Sequence, residues 1–226
     1  MFMKQHFSIG FSLVVTVAGF LAIAFFVMPQ GHALGLSQIA TQSLAFILLG
    51  ALITLCYWLR FGAQTRQQMA CVRPKGDRRF YRQLFLLTLA FWLLKDLLLP
   101  FPESDFAWIR PWLKGNHLGL VVLYIVVVAP IIEELIFRQF LFQSLQRLWR
   151  SPWPTICLAS LPWALLHSQY GALFLGLIFS FGLLLGWVRY RSQSLLLPIL
   201  IHALLNLLAC LMYALGWGVY QGIGGL

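Results

Sequence analysis

Long apolar stretches, each close to the length of a membrane-spanning helix, constrain this chain more than any other feature. A helix that crosses the hydrocarbon core of a bilayer needs about 20 mostly apolar residues. Of the 226 residues, 61% are hydrophobic and only 10% are charged, whereas about a quarter of an ordinary soluble domain is charged. The composition therefore excludes a water-soluble globule and predicts an all-α fold, a polytopic membrane helix bundle with about seven transmembrane helices.

Seven stretches meet or approach the spanning length. They are Phe7–Met28, Ile39–Leu59, Leu84–Leu99, Leu118–Phe142, Thr155–His167, Gly171–Val188 and Leu195–Leu215. The fifth and sixth are separated by a short link at 168–171, which predicts a helical hairpin. For the first stretch we favour a retained anchor over a signal peptide cleaved after Ala33, because its apolar run exceeds the usual ~7–15 residues. We divide the chain into an N-terminal part, 1–117, and a core part, 118–226.

The basic residues predict how these stretches are oriented. Lys and Arg number 16 against 6 Asp and Glu, and seven of the basic residues fall between Arg60 and Arg82. Short loops rich in Lys and Arg stay in the cytoplasm. We therefore predict a multi-pass protein of the cell (inner) membrane, with its N-terminus and the basic loop 60–83 in the cytoplasm. The net charge of +10 is then a matter of topology and does not indicate a nucleic-acid partner.

Two adjacent glutamates, Glu133 and Glu134, lie deep in the fourth stretch, where ionisable side chains are costly and usually face a functional interior. Glu134 and Arg138 are four residues apart and share a helix face, which predicts a salt bridge. Glu133 points about 100° away, is left without that partner, and can serve as a general base or acid. Pro130 predicts a kink just before the pair. A salt-bridged cluster that only holds helices together is the simpler alternative.

Two further polar groups lie within later apolar stretches. They are His167 and the pair His202 and Asn206, which are four residues apart; taken singly, each is often a packing residue. With Glu133 they predict hydrolysis of an amide inside the bilayer, by one of two routes. Zinc held by Glu133, His167 and His202 can activate water. Alternatively, Glu133 and a histidine activate water without metal while Asn206 stabilises the oxyanion. The residues leave both routes open.

Three motifs, in this order, resemble the CPBP family of CAAX proteases and bacteriocin-processing enzymes, also called the Abi family. The family patterns EExxxR, FxxxH and HxxxN correspond to Glu133-Glu134-Leu-Ile-Phe-Arg138, Trp163-Ala-Leu-Leu-His167 and His202-Ala-Leu-Leu-Asn206. The second motif departs from the family in having Trp163 in place of Phe, which we interpret as a packing detail.

The resemblance, which covers roughly 118–215, implies an intramembrane endopeptidase of glutamic or metal-dependent type. It implies Glu133 as the water-activating residue and Asn206 as the oxyanion stabiliser, with His167 and His202 also catalytic. Glu134, Arg138 and Trp163 would support them. No cofactor is certain from the resemblance, and zinc is a possible one.

The expected partners are the lipid bilayer and a hydrophobic or lipidated peptide, because short loops leave little surface to recognise a folded domain. CAAX-type proteins, leaders and sorting tails all fit that class. Two alternatives stay open. One is a non-catalytic immunity or scaffold protein of the same fold. The other is a small proton-coupled transporter that uses the buried Glu and His residues, although the inverted repeats typical of transporters are not evident in the sequence.

Overall fold

Helices account for every regular element in the part of the chain that the computed structural model describes. That part comprises residues 41, 44–45, 47–53, 55, 74–98, 118–146, 148–149, 151–168 and 170–214. The helices are α1 (Arg78–Leu98), α2 (Leu118–Gln146), α3 (Trp153–Leu165), α4 (Ala172–Ser192) and α5 (Leu196–Ala214). The described residues within 41–55 are helical as well. The predicted all-helical class is confirmed for the described residues.

Two of these helices, α2 and α4, are long and apolar enough to cross a membrane, and α5 contains a shorter apolar helix, Leu196–Met212. Large apolar side chains cover the outer faces of the helices; Phe85 is 65% exposed and Leu120 is 60% exposed. Extensive apolar exposure is typical of surfaces that contact lipid or another protein. The predicted stretch Phe7–Met28 lies outside the described residues, and so does about half of the second, so the count of seven spans stays a prediction.

Helix α1 begins earlier than the sequence predicted, at Arg78 instead of Leu84. Its start is set by Asp77, whose carboxylate oxygen accepts a hydrogen bond from the backbone N–H of Phe80 at 2.7 Å. An aspartate in this position satisfies one of the amides that a helix leaves unpaired at its N-terminus. The prediction that the basic loop extends to residue 83 is therefore wrong at its end, because 78–83 are helical.

Helix α4 also runs further than predicted, to Ser192 instead of Val188. It ends at Gln193, which adopts a left-handed backbone conformation with φ of 52°. Lys75 then joins this end of α4 to the start of α1. Its backbone N–H donates to the Ser192 carbonyl at 2.9 Å and its ammonium donates to the Gln193 side chain at 2.8 Å.

Helix α2 changes its hydrogen-bond register twice around the glutamate pair. Its segments Tyr124–Val128 and Leu135–Leu141 are π-helical, and the α-helical turn Ala129–Glu134 lies between them. Pro130 lies near the start of that turn, where the sequence predicted a distortion. Single π-helical turns inside longer helices are often found at functional sites, and these two bracket both glutamates.

Helices α3 and α4 pack closely against each other and form the predicted hairpin. Two glycines of α4 allow this approach. A Cβ atom on Gly182 would lie 2.9 Å from the Cβ of Ser160, and one on Gly186 would lie 3.0 Å from Cγ2 of Ile156. Both distances are shorter than ordinary carbon–carbon contacts, so these positions have no room for a side chain without movement of the neighbouring helix.

We expect Gly182→Ala to lower the free energy of unfolding by about 1–3 kcal/mol, the usual cost of overpacking a filled interior. Gly176→Ala on the same helix is the matched control, because a Cβ there meets nothing within 4 Å. The control should be neutral or stabilising by about 0.5–1 kcal/mol, since alanine favours helix more than glycine does. Thermal unfolding of both variants in one detergent gives the comparison. Equal unfolding midpoints would contradict the close packing of α3 and α4.

Candidate active site

The predicted salt bridge of α2 is present and completely buried. Glu134 Oε1 lies 3.2 Å from Nη1 of Arg138, and neither side chain is exposed. The Arg138 guanidinium also donates from Nη2 to the Gly182 carbonyl at 3.4 Å. Its Cζ lies 4.4 Å from the centroid of the Trp163 ring, within the range of a cation–π contact. The arginine thus contacts α3 and α4 as well as its own helix.

Glu134 has a second partner that the sequence did not predict. His202 Nδ1 lies 3.0 Å from Glu134 Oε1, and its Nε2 lies 3.9 Å from Glu133 Oε2. A carboxylate accepts hydrogen bonds, so Nδ1 of His202 is the protonated nitrogen. In the neutral ring the lone pair of Nε2 therefore faces Glu133. Residues 134 and 202 are far apart in the chain, and no periodic pattern could have shown this contact.

Glu133, which does not pair with Arg138, has a partner on α3 that the sequence did not predict. The indole Nε1 of Trp163 donates a hydrogen bond to Glu133 Oε2 at 2.6 Å, between two buried side chains. The geometry of α2 places Glu133 away from Arg138 but says nothing about the facing helix, so the contact with Trp163 was not predictable from it. The interpretation of Trp163 as a packing detail was incomplete for the same reason.

His167 lies just after the end of α3 and is half-buried. Its Nδ1 is 2.9 Å from the Trp163 backbone carbonyl. A carbonyl oxygen can only accept a hydrogen bond, so Nδ1 of His167 is the donor. In the neutral ring Nε2 then carries a lone pair. The Trp163 ring has its centroid 5.3 Å from that of His167 and 5.5 Å from that of His202. The indole therefore contacts both histidines as well as Glu133.

Asn206 is positioned by a hydrogen bond that Pro130 makes available. The N–H of Ala129 bonds to the Tyr124 carbonyl, five residues back. In the same register the backbone N–H of residue 130 would bond to the Ile125 carbonyl, but Pro130 has no backbone N–H. Asn206 Nδ2 donates to the Ile125 carbonyl instead, at 2.8 Å. The proline thus ties α5 to α2 one turn before the glutamate pair.

The candidate zinc ligands Glu133, His167 and His202 do not form a metal site as they are arranged here. A catalytic zinc ion is usually held by three protein ligands. In the described residues, no three His, Cys, Asp or Glu side chains are grouped so as to hold a metal ion. Only Glu133 and His202 approach each other, at 3.9 Å.

A second buried arginine was missed because the sixth stretch was predicted to end before it. Arg189 is only 8% exposed. Its Nε donates to the Arg138 carbonyl at 3.2 Å, and its Nη2 donates to the Gln139 side chain at 3.1 Å. These contacts lie in the second π-helical segment of α2. Arg189 therefore holds α4 against the part of α2 that carries Arg138, and it does not lie in a loop.

The structure thus brings the buried Glu133, Glu134 and His202 together between apolar helices, while Asn206 and His167 are half-buried. Residues 115–208 match the family model described as type II CAAX prenyl endopeptidase Rce1-like. The match includes all three motifs and agrees with the resemblance to the CAAX protease family that the motifs carry. The family is one of membrane-embedded proteases. No curated protein and no solved structure matches the chain significantly.

We expect Arg138→Met to lower the free energy of unfolding by about 3–5 kcal/mol, because it leaves the buried Glu134 carboxylate without a counter-charge. Arg191→Met is the matched control. It makes the same chemical change at an exposed position of α4, where substitutions usually change stability by less than about 0.5 kcal/mol. Thermal unfolding in detergent tests both. If the two variants were equally stable, the buried ion pair would not contribute to the stability of the fold.

Proposed function

We propose that this protein is an intramembrane endopeptidase that hydrolyses a peptide bond in a membrane-associated substrate, using water activated by Glu133. The observation that carries the proposal is the approach of His202 Nε2 to the Glu133 carboxylate, at 3.9 Å. The opposite nitrogen of that ring is bound to Glu134. A base next to an imidazole that a second carboxylate orients is a recurrent arrangement in hydrolases. The match of residues 115–208 to the model of a protease family supports the same conclusion.

The arrangement supports the following reaction. A water molecule hydrogen-bonded to Glu133 and His202 gives its proton to Glu133 while its oxygen attacks the carbonyl carbon of the substrate. The carbonyl oxygen becomes an oxyanion. The proton then passes from Glu133 to the amide nitrogen, the carbon–nitrogen bond breaks, and a carboxylic acid and an amine are released. Glu133 acts as base and then as acid, so the two steps return the carboxylate to its starting state.

Asn206 is the proposed oxyanion stabiliser. Its side-chain amide has two N–H donors, and the bond to the Ile125 carbonyl uses one of them. That bond fixes the plane of the amide, and the second N–H is available to the developing oxyanion. A donor held in place before the reaction stabilises the transition state without a cost of reorganisation. His167 is half-buried, and its Nε2 is the proposed contact for a polar group of the bound substrate.

We propose a hydrophobic or lipidated peptide as the substrate, which reaches the site from the bilayer or from the cytoplasm. CAAX-type processing, leader removal and trimming of sorting tails belong to this class. The proposed location is the inner membrane, with the N-terminus and the basic loop in the cytoplasm. The division into an N-terminal part, 1–117, and a catalytic core, 118–226, belongs to the same proposal.

We expect Glu133→Gln to reduce the rate of cleavage by about 10²–10⁴-fold, the usual contribution of a positioned general base. The measurement is cleavage of a panel of lipidated and apolar peptides in proteoliposomes. Asp77→Asn is the matched control, because it is the same type of change at an exposed carboxylate that caps a helix, and asparagine caps equally well. A metal chelator should leave the wild-type rate unchanged.

A Glu133→Gln variant that folds and cleaves as fast as the wild type would contradict the proposal. That result would favour a different base or one of the two non-proteolytic alternatives. A variant that does not fold is recognised by its unfolding midpoint, which must match that of the wild type before the rates are compared.

We expect Asn206→Ala to lower kcat by about 10²–10³-fold, as the loss of one oxyanion donor does elsewhere, with a smaller effect on KM. If Asn206 only held α5 against α2, Asn206→Ala would instead lower the unfolding midpoint and leave kcat for each folded molecule unchanged. Measuring both quantities on the same preparation separates the two roles.

A further inference from the structure

The hydrogen bond between Trp163 and Glu133 is the shortest link that the structure shows between α3 and the glutamate pair. Nε1 of the indole lies 2.6 Å from Glu133 Oε2. An indole N–H can only donate, so the carboxylate must accept. Hydrogen bonds that end on an ionised group are shorter and about twice as strong as neutral ones. This contact is therefore of the kind that can fix the orientation of the carboxylate.

The ring that carries this N–H is itself held in place. Trp163 is only 2% exposed. The Arg138 guanidinium lies over it at 4.4 Å, and the ring of Phe181 lies 6.1 Å away, centroid to centroid. A Cβ atom on Gly182 would lie 3.0 Å from the Cε3 atom of the indole. With an arginine over it and α4 close beside it, the indole has one available orientation, and in that orientation Nε1 points at Glu133.

We propose that Trp163 is a positioning residue for the reaction, whose indole N–H holds Oε2 of Glu133 and so fixes the carboxylate beside His202, where the attacking water binds. This role rests on the proposed function. The second motif of the family has phenylalanine at this position, and phenylalanine can cover Arg138 in the same way but has no N–H. With tryptophan in place of phenylalanine at position 163, this chain has a hydrogen-bond donor to the proposed base, Glu133. The family motif does not require such a donor.

An isosteric replacement tests the N–H alone. Position 163 is replaced with β-(3-benzothienyl)alanine, which keeps the shape and the stacking surface of the indole but has sulfur in place of N–H. We expect kcat for each folded molecule to fall roughly 10- to 100-fold, the effect of losing one hydrogen bond to a charged group, while KM stays near wild type. The unfolding midpoint, measured on the same preparation, corrects kcat for any loss of folded protein. Trp163→Phe should lower kcat in the same way, with some additional loss of stability.

The same replacement at Trp187 is the matched control. That ring packs against Phe80, with centroids 5.4 Å apart, and takes no part in the site described above, so kcat should be unchanged. An unchanged kcat in the variant at 163, with Glu133→Gln inactive, overturns the role of Trp163 and leaves the proposed function standing. If kcat falls only in proportion to the loss of folded protein, the role of Trp163 is overturned as well. If Glu133→Gln cleaves at the wild-type rate, the proposed function fails and this inference fails with it.

Discussion

The burial of a positive charge between helices determines how the rest of this structure is arranged. Arg138 is fully buried, and a guanidinium removed from water costs several kcal/mol unless other groups replace the solvent. Three helices supply those groups: α2 gives the Glu134 carboxylate, α3 gives the face of the Trp163 ring, and α4 gives the Gly182 carbonyl. Because each contact requires a short distance, the arginine fixes the positions of all three helices relative to one another.

The groups that compensate the arginine are also the groups that orient the proposed catalytic side chains. Glu134 accepts from His202 through the same oxygen that faces Arg138, and Trp163 donates to Glu133 while its face covers the guanidinium. Charge neutralisation and catalytic geometry therefore depend on one connected network, in which low local dielectric strengthens every link. This connection is consistent with different proposed roles for the two adjacent glutamates: Glu134 has its charge balanced by Arg138, and Glu133 is the proposed base.

The lengths of the apolar stretches predicted the helices α2 to α5 to within a few residues. Local spacing predicted the pairing of Glu134 with Arg138, because a helix repeats every 3.6 residues. The contacts of His202 and Trp163 with the glutamates were not predictable in this way. They depend on how far one helix is rotated against another, and periodicity within a single helix carries no information on that. The start of α1 was missed because its first turn is rich in arginine and resembles a loop, whereas the signal that matters is the single capping residue Asp77.

The way in which the polar groups satisfy one another bears on the choice between a protease and a transporter. Inside a bilayer, a backbone carbonyl without a partner costs several kcal/mol, and Pro130 leaves the Ile125 carbonyl in that state until Asn206 supplies a donor. A transporter must exchange such partners as it changes state. Here the carbonyl is bound by an amide whose second N–H remains available, and His202 is held by Glu134 on one side. Groups fixed before the substrate arrives suit a reaction in which charge develops at one place, and that is the requirement of peptide-bond hydrolysis.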